Sequence, residues 1–152
     1  GTREVPAEAF YTGLLETARE PHELLTEIVI PRLPAGTGGA YERFKTHERP
    51  TATVAAVLRL EHGRIEEARI VAGSVGPYPS RITAAEALLQ GQAPSEALFA
   101  AAADAAHEGV DPTDDAFEST AYKRHLVRVL TVRALASAAR QAAGSEGAGN
   151  DR

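Results

Sequence analysis

Apolar positions along the chain change period partway through, and the change separates a strand half from a helix half. Glu23 to Pro31 (ELLTEIVIP) is apolar and β-branched and predicts a strand closed by proline. Leu33 to Gly39 (LPAGTGG) predicts a turn-rich connector. A second strand is expected at Ala40 to Thr46, with Tyr41, Arg43 and Lys45 on one face and Glu42 and Phe44 on the other. Thr51 to Leu60 (TATVAAVLRL) predicts a third strand. His62-Gly63 then marks a hairpin turn before a fourth, Ile65 to Ser74.

Beyond this point the spacing becomes helical. Thr83-Ala-Ala-Glu86 has the form of a capping box, in which threonine and glutamate each satisfy a free backbone N–H. The short helix it opens is expected to stop at Gly91. Ser95 to His107 predicts an alanine-rich second helix, and Ser119 or Thr120 caps a third that runs to about Ala143. In that last helix Tyr122, Leu126, Val129 and Leu130 form a stripe that also contains Arg133. An arginine on a buried face needs a carboxylate, and Asp114 and Asp115 are near in the chain. The alternative is a side chain that snorkels to solvent.

Strands first and helices second predict an α+β fold: an antiparallel sheet of three to four strands with three helices packed on one face. Residues 1–21 read as a lead-in arm from a missing FAD-binding domain, 22–143 as the folded domain and 144–152 (GSEGAGNDR) as a disordered tail. Calling the arm a piece of an FAD protein rests on the family resemblance given below.

Composition narrows the chemistry. The chain has 152 residues, enough for one domain with a buried core, and a formal net charge of -5. There is no cysteine, which excludes disulfides and thiolate-held zinc or iron–sulfur clusters within this chain. The negative balance provides no broad basic footprint for nucleic acid. No apolar stretch reaches the roughly 18 residues of a membrane span. The first ten residues carry no signal-peptide core, so a cytoplasmic location is expected. The opening without methionine suggests a fragment or a processed product.

Candidate chemistry is sparse. His22, His47, His62, His107 and His125 form no paired metal-ligand spacing. Gly36-Thr37-Gly38-Gly39 lacks the lysine ending and the following helix of a phosphate loop. Ser74 lies in AGSVG without a nucleophile-elbow pattern. Glu66 and Glu67, as strand neighbours, point to opposite faces. The exception is the face of Tyr41, Arg43 and Lys45, with His47 and Arg49 just beyond, which suits a planar anionic ligand or an acidic surface. Its other reading is a solvated charged face.

Five stretches, in order, carry a family resemblance. They are Phe10-Tyr-x-Gly13 and Thr17 with Glu23-Leu-Leu-x-Glu-Ile-x-Ile-Pro31; Tyr41-Glu-Arg-Phe-Lys45 with Arg49; Gly73-x-Val-x-Pro77-x-Pro-x-Arg81; Ala85-Glu86-x-Leu-Leu-x-Gly91; and Asp114, Ser119, Tyr122-Lys123 and Arg133. Over roughly residues 5–136 the chain resembles the C-terminal domain of the FAD-binding medium subunit of molybdenum hydroxylases, the carbon monoxide dehydrogenase and xanthine dehydrogenase family.

The resemblance implies a domain of an oxidoreductase that caps FAD while the flavin relays electrons from iron–sulfur clusters to an acceptor. It also implies that most FAD contacts come from an N-terminal FAD-binding domain. The implied partners are that domain, a molybdenum-cofactor large subunit and an iron–sulfur small subunit. By residue-wise carry-over it places Leu25 beside the flavin and Lys45 near the polar edge of its ring, with Tyr41 and Arg43 close by. Two departures stand out: Pro50-Thr51 replaces an Asp–aromatic or Asp–aliphatic pair, and Lys123 stands where the family usually has arginine. The alternative reading is a free-standing docking module of the same fold without flavin.

Overall fold

A computed structural model of the chain describes residues 1–46 and 48–148, with the side chains of 146–148 left out. A one-turn helix α1 (Ala7–Phe10) leads into two short paired strands, β1 (Tyr11–Gly13) and β2 (Glu16–Thr17). The main sheet contains β3 (Thr37–Phe44), β4 (Ala52–Glu61), β5 (Arg64–Gly73) and β6 (Ser80–Arg81), in that spatial order and antiparallel throughout. Helices α2 (Thr83–Leu89), α3 (Glu96–Gly109) and α4 (Thr120–Ala148) follow. The expected α+β class is therefore observed.

Alternation in β4 decides which face is covered. Val54, Ala56, Leu58 and Leu60 are buried, while the intervening Ala55, Val57 and Arg59 are only half-buried. Helix α4 lies on β3 and β4, α2 lies on β5, and α3 packs against both helices. The β4–β5 hairpin turns at His62 and Gly63, both with positive φ (53° and 72°), the geometry of a tight hairpin loop.

The alanine content has a structural use. Ala134, Ala138, Ala139 and Ala142 of α4 are buried, and a Cβ at Gly38 would collide with the α4 backbone at Ala138 and Ala142. Small residues on both sides let the helix axis approach the strand closely. Gly38 thus belongs to a packed strand; the expected connector shortens, because β3 begins at Thr37.

Several expectations need correcting. Glu23 to Pro31 is not a strand: the segment is irregular, and its large apolar side chains are exposed. A strand needs a ladder partner, and among the described residues none lies beside it. The sheet still has four strands because the two-residue β6 takes the place left by that segment, while the expected strand at Ile65 to Ser74 is observed as β5.

The capping box at Thr83 does not form. Ile82 is the N-cap, and no side chain caps the helix. Glu86 is buried and accepts the Ile70 N–H (2.8 Å), continuing the β5 ladder where β6 has ended. It also accepts from the Arg81 guanidinium (2.6 Å), so two stronger demands take the carboxylate away from the helix end.

In α4 the buried cation is Lys123, whereas Arg133 is exposed. Lys123 donates to Asp115 and to the Thr113 carbonyl, each at 2.6 Å. The predicted carboxylate region is right, and its partner is the other cation. Helix α4 continues to Ala148, past the expected Ala143, with Ser145 donating to the Ala142 carbonyl (2.9 Å). The rest of the expected tail, 149–152, lies outside the described residues.

Candidate functional site

Tyr41 stands opposite Ala55 and Arg43 opposite Thr53 in the β3–β4 register, so both share the sheet face away from the helices. Phe44 takes the other face and meets Tyr122 of α4 edge-on, with ring centroids 6.3 Å apart. The alternation read from the sequence thus holds inside the strand. Lys45 lies one residue past the end of β3, where the Thr51 N–H donates to the Phe44 carbonyl (2.9 Å) and closes the loop. His47 lies outside the described residues.

Tyr41 is 62% exposed, and Arg43 and Lys45 are also exposed. Among the described residues neither cation has an ion-pair or hydrogen-bond partner. This sets them apart from Arg59, Arg69, Arg81 and Arg128, each of which is paired with a carboxylate. An aromatic ring followed by two unpaired cations on an uncovered face can receive a flat, negatively charged group.

Leu25 stands apart from this row. It lies in the irregular segment after Glu23 and is exposed. Three of the four sequence-derived residues therefore lie on β3 or next to its end, and Leu25 belongs to a different segment.

The carboxylates with shifted ionisation lie elsewhere and are structural. Hydrogen bonding from Lys123, then from the Phe117 and Glu118 N–H groups, holds the Asp115 carboxyl down to about 2. Arg3, hydrogen-bonded to Glu23 at 2.7 Å, does the same for that residue, again to about 2. Among the described residues no group of His, Asp or Glu could hold a metal ion. Among the described residues no helix is long and apolar enough to cross a membrane.

Sequence reasoning missed the buried Glu86, which joins α2 to the edge of the sheet. A signal was present in Arg81 five residues earlier, but the capping-box pattern explained the glutamate first.

Comparisons with known proteins bear on this geometry. Residues 40–138 match the family described as CO dehydrogenase flavoprotein C-terminal domain. The carbon monoxide dehydrogenase medium chain of Hydrogenophaga pseudoflava is 34% identical over 140 residues, covering 91% of this chain and 49% of that protein. The xanthine dehydrogenase FAD-binding subunit of Escherichia coli O157:H7 is 26% identical over 148 residues, covering 95% of this chain and 51% of that protein. A solved structure of the Hydrogenophaga pseudoflava carbon monoxide dehydrogenase, lacking the Mo-pyranopterin moiety of its cofactor, superposes with a TM-score of 0.87 at 37% identity. That likeness covers 91% of this chain and 49% of the solved one. The chain spans about half the length of the curated relatives it matches. With a match across most of the sheet–helix body and this level of identity, the chain belongs to the family of CO dehydrogenase flavoprotein C-terminal domains.

Proposed function

We propose that the chain serves as the C-terminal domain of the FAD-binding subunit of a molybdenum hydroxylase-type oxidoreductase, where it caps the flavin. The observation that carries this reading is the family match over residues 40–138. FAD, when bound, supplies a redox-active ring that takes electrons from iron–sulfur clusters and passes them to an acceptor.

The residues present fit such a ligand in part. Lys45 and Arg43 bring unpaired positive charge that favours an anionic ring edge, and Tyr41 offers a flat apolar surface beside them. Leu25 contributes an apolar contact once its segment is held in place. The remaining FAD contacts fall to an N-terminal FAD-binding domain. Docking partners on this reading are a molybdenum-cofactor large subunit and an iron–sulfur small subunit, in the cytoplasm.

A flavin titration tests it, using FAD fluorescence quenching on the 152-residue chain and on the longer polypeptide that carries the FAD-binding half. Tight binding in the longer polypeptide alone, weakened roughly tenfold by Lys45→Ala through loss of one charge-assisted contact, is expected. Absence of binding in both would overturn the flavin role and leave a docking module. Equal binding by both would move the site into this chain.

A further inference from the structure

Lys45 sits between two anchored neighbours. On one side Phe44 meets Tyr122 at the start of α4, and its carbonyl accepts from the Thr51 N–H. On the other, the Thr46 hydroxyl donates to the Glu118 carboxylate (3.4 Å), 72 residues away in the chain. Phe44 and Thr46 share strand parity, so both are held from the side of the sheet that carries α4. Lys45 has the opposite parity, that of Tyr41 and Arg43 on the open face. Among the described residues no other side-chain hydrogen bond or ion pair engages 45, 46 or 48–50.

Glu118 is itself built into the body. One oxygen of the Asp115 carboxylate accepts from the Phe117 and Glu118 N–H groups (2.8 and 2.9 Å), and the other accepts from Lys123 (2.6 Å). Lys123 is 3% exposed and also donates to the Thr113 carbonyl, while the Thr113 N–H donates to the Val75 carbonyl (2.9 Å). A buried cation thus fixes the turn before α4, and the turn delivers a half-buried carboxylate to the end of β3. Glu118 is not among the residues that carry the family resemblance; only the fold brings it to Thr46.

We propose that Glu118 is a positioning residue for Lys45. Holding Thr46 from the α4 side keeps strand alternation running past Phe44, and with it the Lys45 ammonium turned to the open face. The proposal rests on the flavoprotein reading above. Without the tie the chain is anchored at Phe44 alone, and Lys45 becomes the first residue of a free loop. A cation held beside an anionic ring edge binds it better than one spread over many orientations, because the ordering cost is already met.

Two measurements test this. In the 152-residue chain, nitrogen-15 relaxation reads backbone order at Lys45 and Thr46. Order parameters near about 0.8 are expected, falling below about 0.6 in Glu118→Ala and holding in Glu118→Gln, whose amide oxygen still accepts. In the longer polypeptide that carries the FAD-binding half, fluorescence quenching reads FAD affinity. Glu118→Ala and Thr46→Val should each weaken it by about two- to fivefold, the scale of one long hydrogen bond, and Glu118→Gln by less than about twofold. In a Lys45→Ala background Glu118→Ala should add nothing, since its effect passes through that ammonium. The urea midpoint should stay unchanged in every Glu118 variant.

Additive losses in the double variant, equal losses for Gln and Ala, or a lowered midpoint in Glu118→Ala would each overturn the proposal. The two readings fail separately. Bound flavin, with order and affinity unmoved by Glu118→Ala, sinks the positioning role alone. No bound flavin in the longer polypeptide, with order at 45 and 46 lost in Glu118→Ala, sinks the flavin role alone.

Discussion

Residues 52–60 and 24–30 are both short runs rich in Val, Leu, Ile, Ala and Thr, yet they have opposite fates in the same molecule. The first is the central strand β4, paired on both edges, with Val54, Ala56 and Leu58 removed from solvent. The second is exposed and has no backbone partner among the described residues. The difference lies less in composition than in neighbours. β4 enters a hairpin with a well-formed two-residue turn, so its partner is the next segment of chain; the earlier run has no such turn. Apolar composition supplies the incentive to be buried, and pairing decides whether burial happens.

The contrast is easiest to break from the buried side. Leu58→Ala should lower the unfolding free energy by about 2–5 kcal/mol in urea titrations, because it leaves a cavity beneath the helices. Ile28→Ala in the 152-residue chain is the matched control, and its expected effect comes last.

Glu86→Ala should cost about 1–3 kcal/mol, since it leaves the Ile70 N–H without an acceptor and the Arg81 guanidinium without its main partner. Glu86→Gln keeps an acceptor for Ile70 and should cost less. Equal losses for the two variants would mean that charge, and not the ladder extension, is what α2 requires.

Acid sharpens the comparison, because the packed body and the stretch just before Leu24 each hold one carboxylate at about 2, Asp115 and Glu23. Both folded values lie below the ordinary ones, 3.8 for Asp115 and 4.5 for Glu23. Their contributions are therefore complete above those ordinary values and are lost as the pH falls toward 2. For Asp115 the loss leaves buried Lys123 without its anion, so the midpoint of unfolding should fall between pH 4 and 2. Asp115→Asn should flatten that slope. For Glu23 the loss should free the arm held by Arg3 and leave the body folded; exchange at residues 18–23 reports it.

The smallest expected effect belongs to Ile28→Ala: a change within about 0.5 kcal/mol in the 152-residue chain, where the side chain is already exposed. A larger loss would mean that the segment packs onto the body in solution.

Much of the architecture was legible from local pattern. The β4–β5 hairpin follows from two apolar runs around His62-Gly63, and Ser95 caps α3 by accepting from the Leu98 N–H (3.2 Å). The exposed face of Tyr41 and Arg43 follows from strand alternation, which is a property of the backbone alone. The candidate site was less legible. Alternation places side chains on a face, but it cannot say that Arg43 and Lys45 lack carboxylate partners among the described residues while Arg59 and Arg81 have them.

Local sequence fixes period, turn chemistry and the class of fold, because these depend on sterics and bonds within a few residues. Tertiary structure alone decided that Glu86 serves the sheet and not the end of its own helix. It also decided that Lys123 and not Arg133 is the buried cation, and that Leu24–Ile30 has no ladder among the described residues. Each of these turns on which distant group offers the better hydrogen bond or the missing edge, and that is settled only when the elements meet in space.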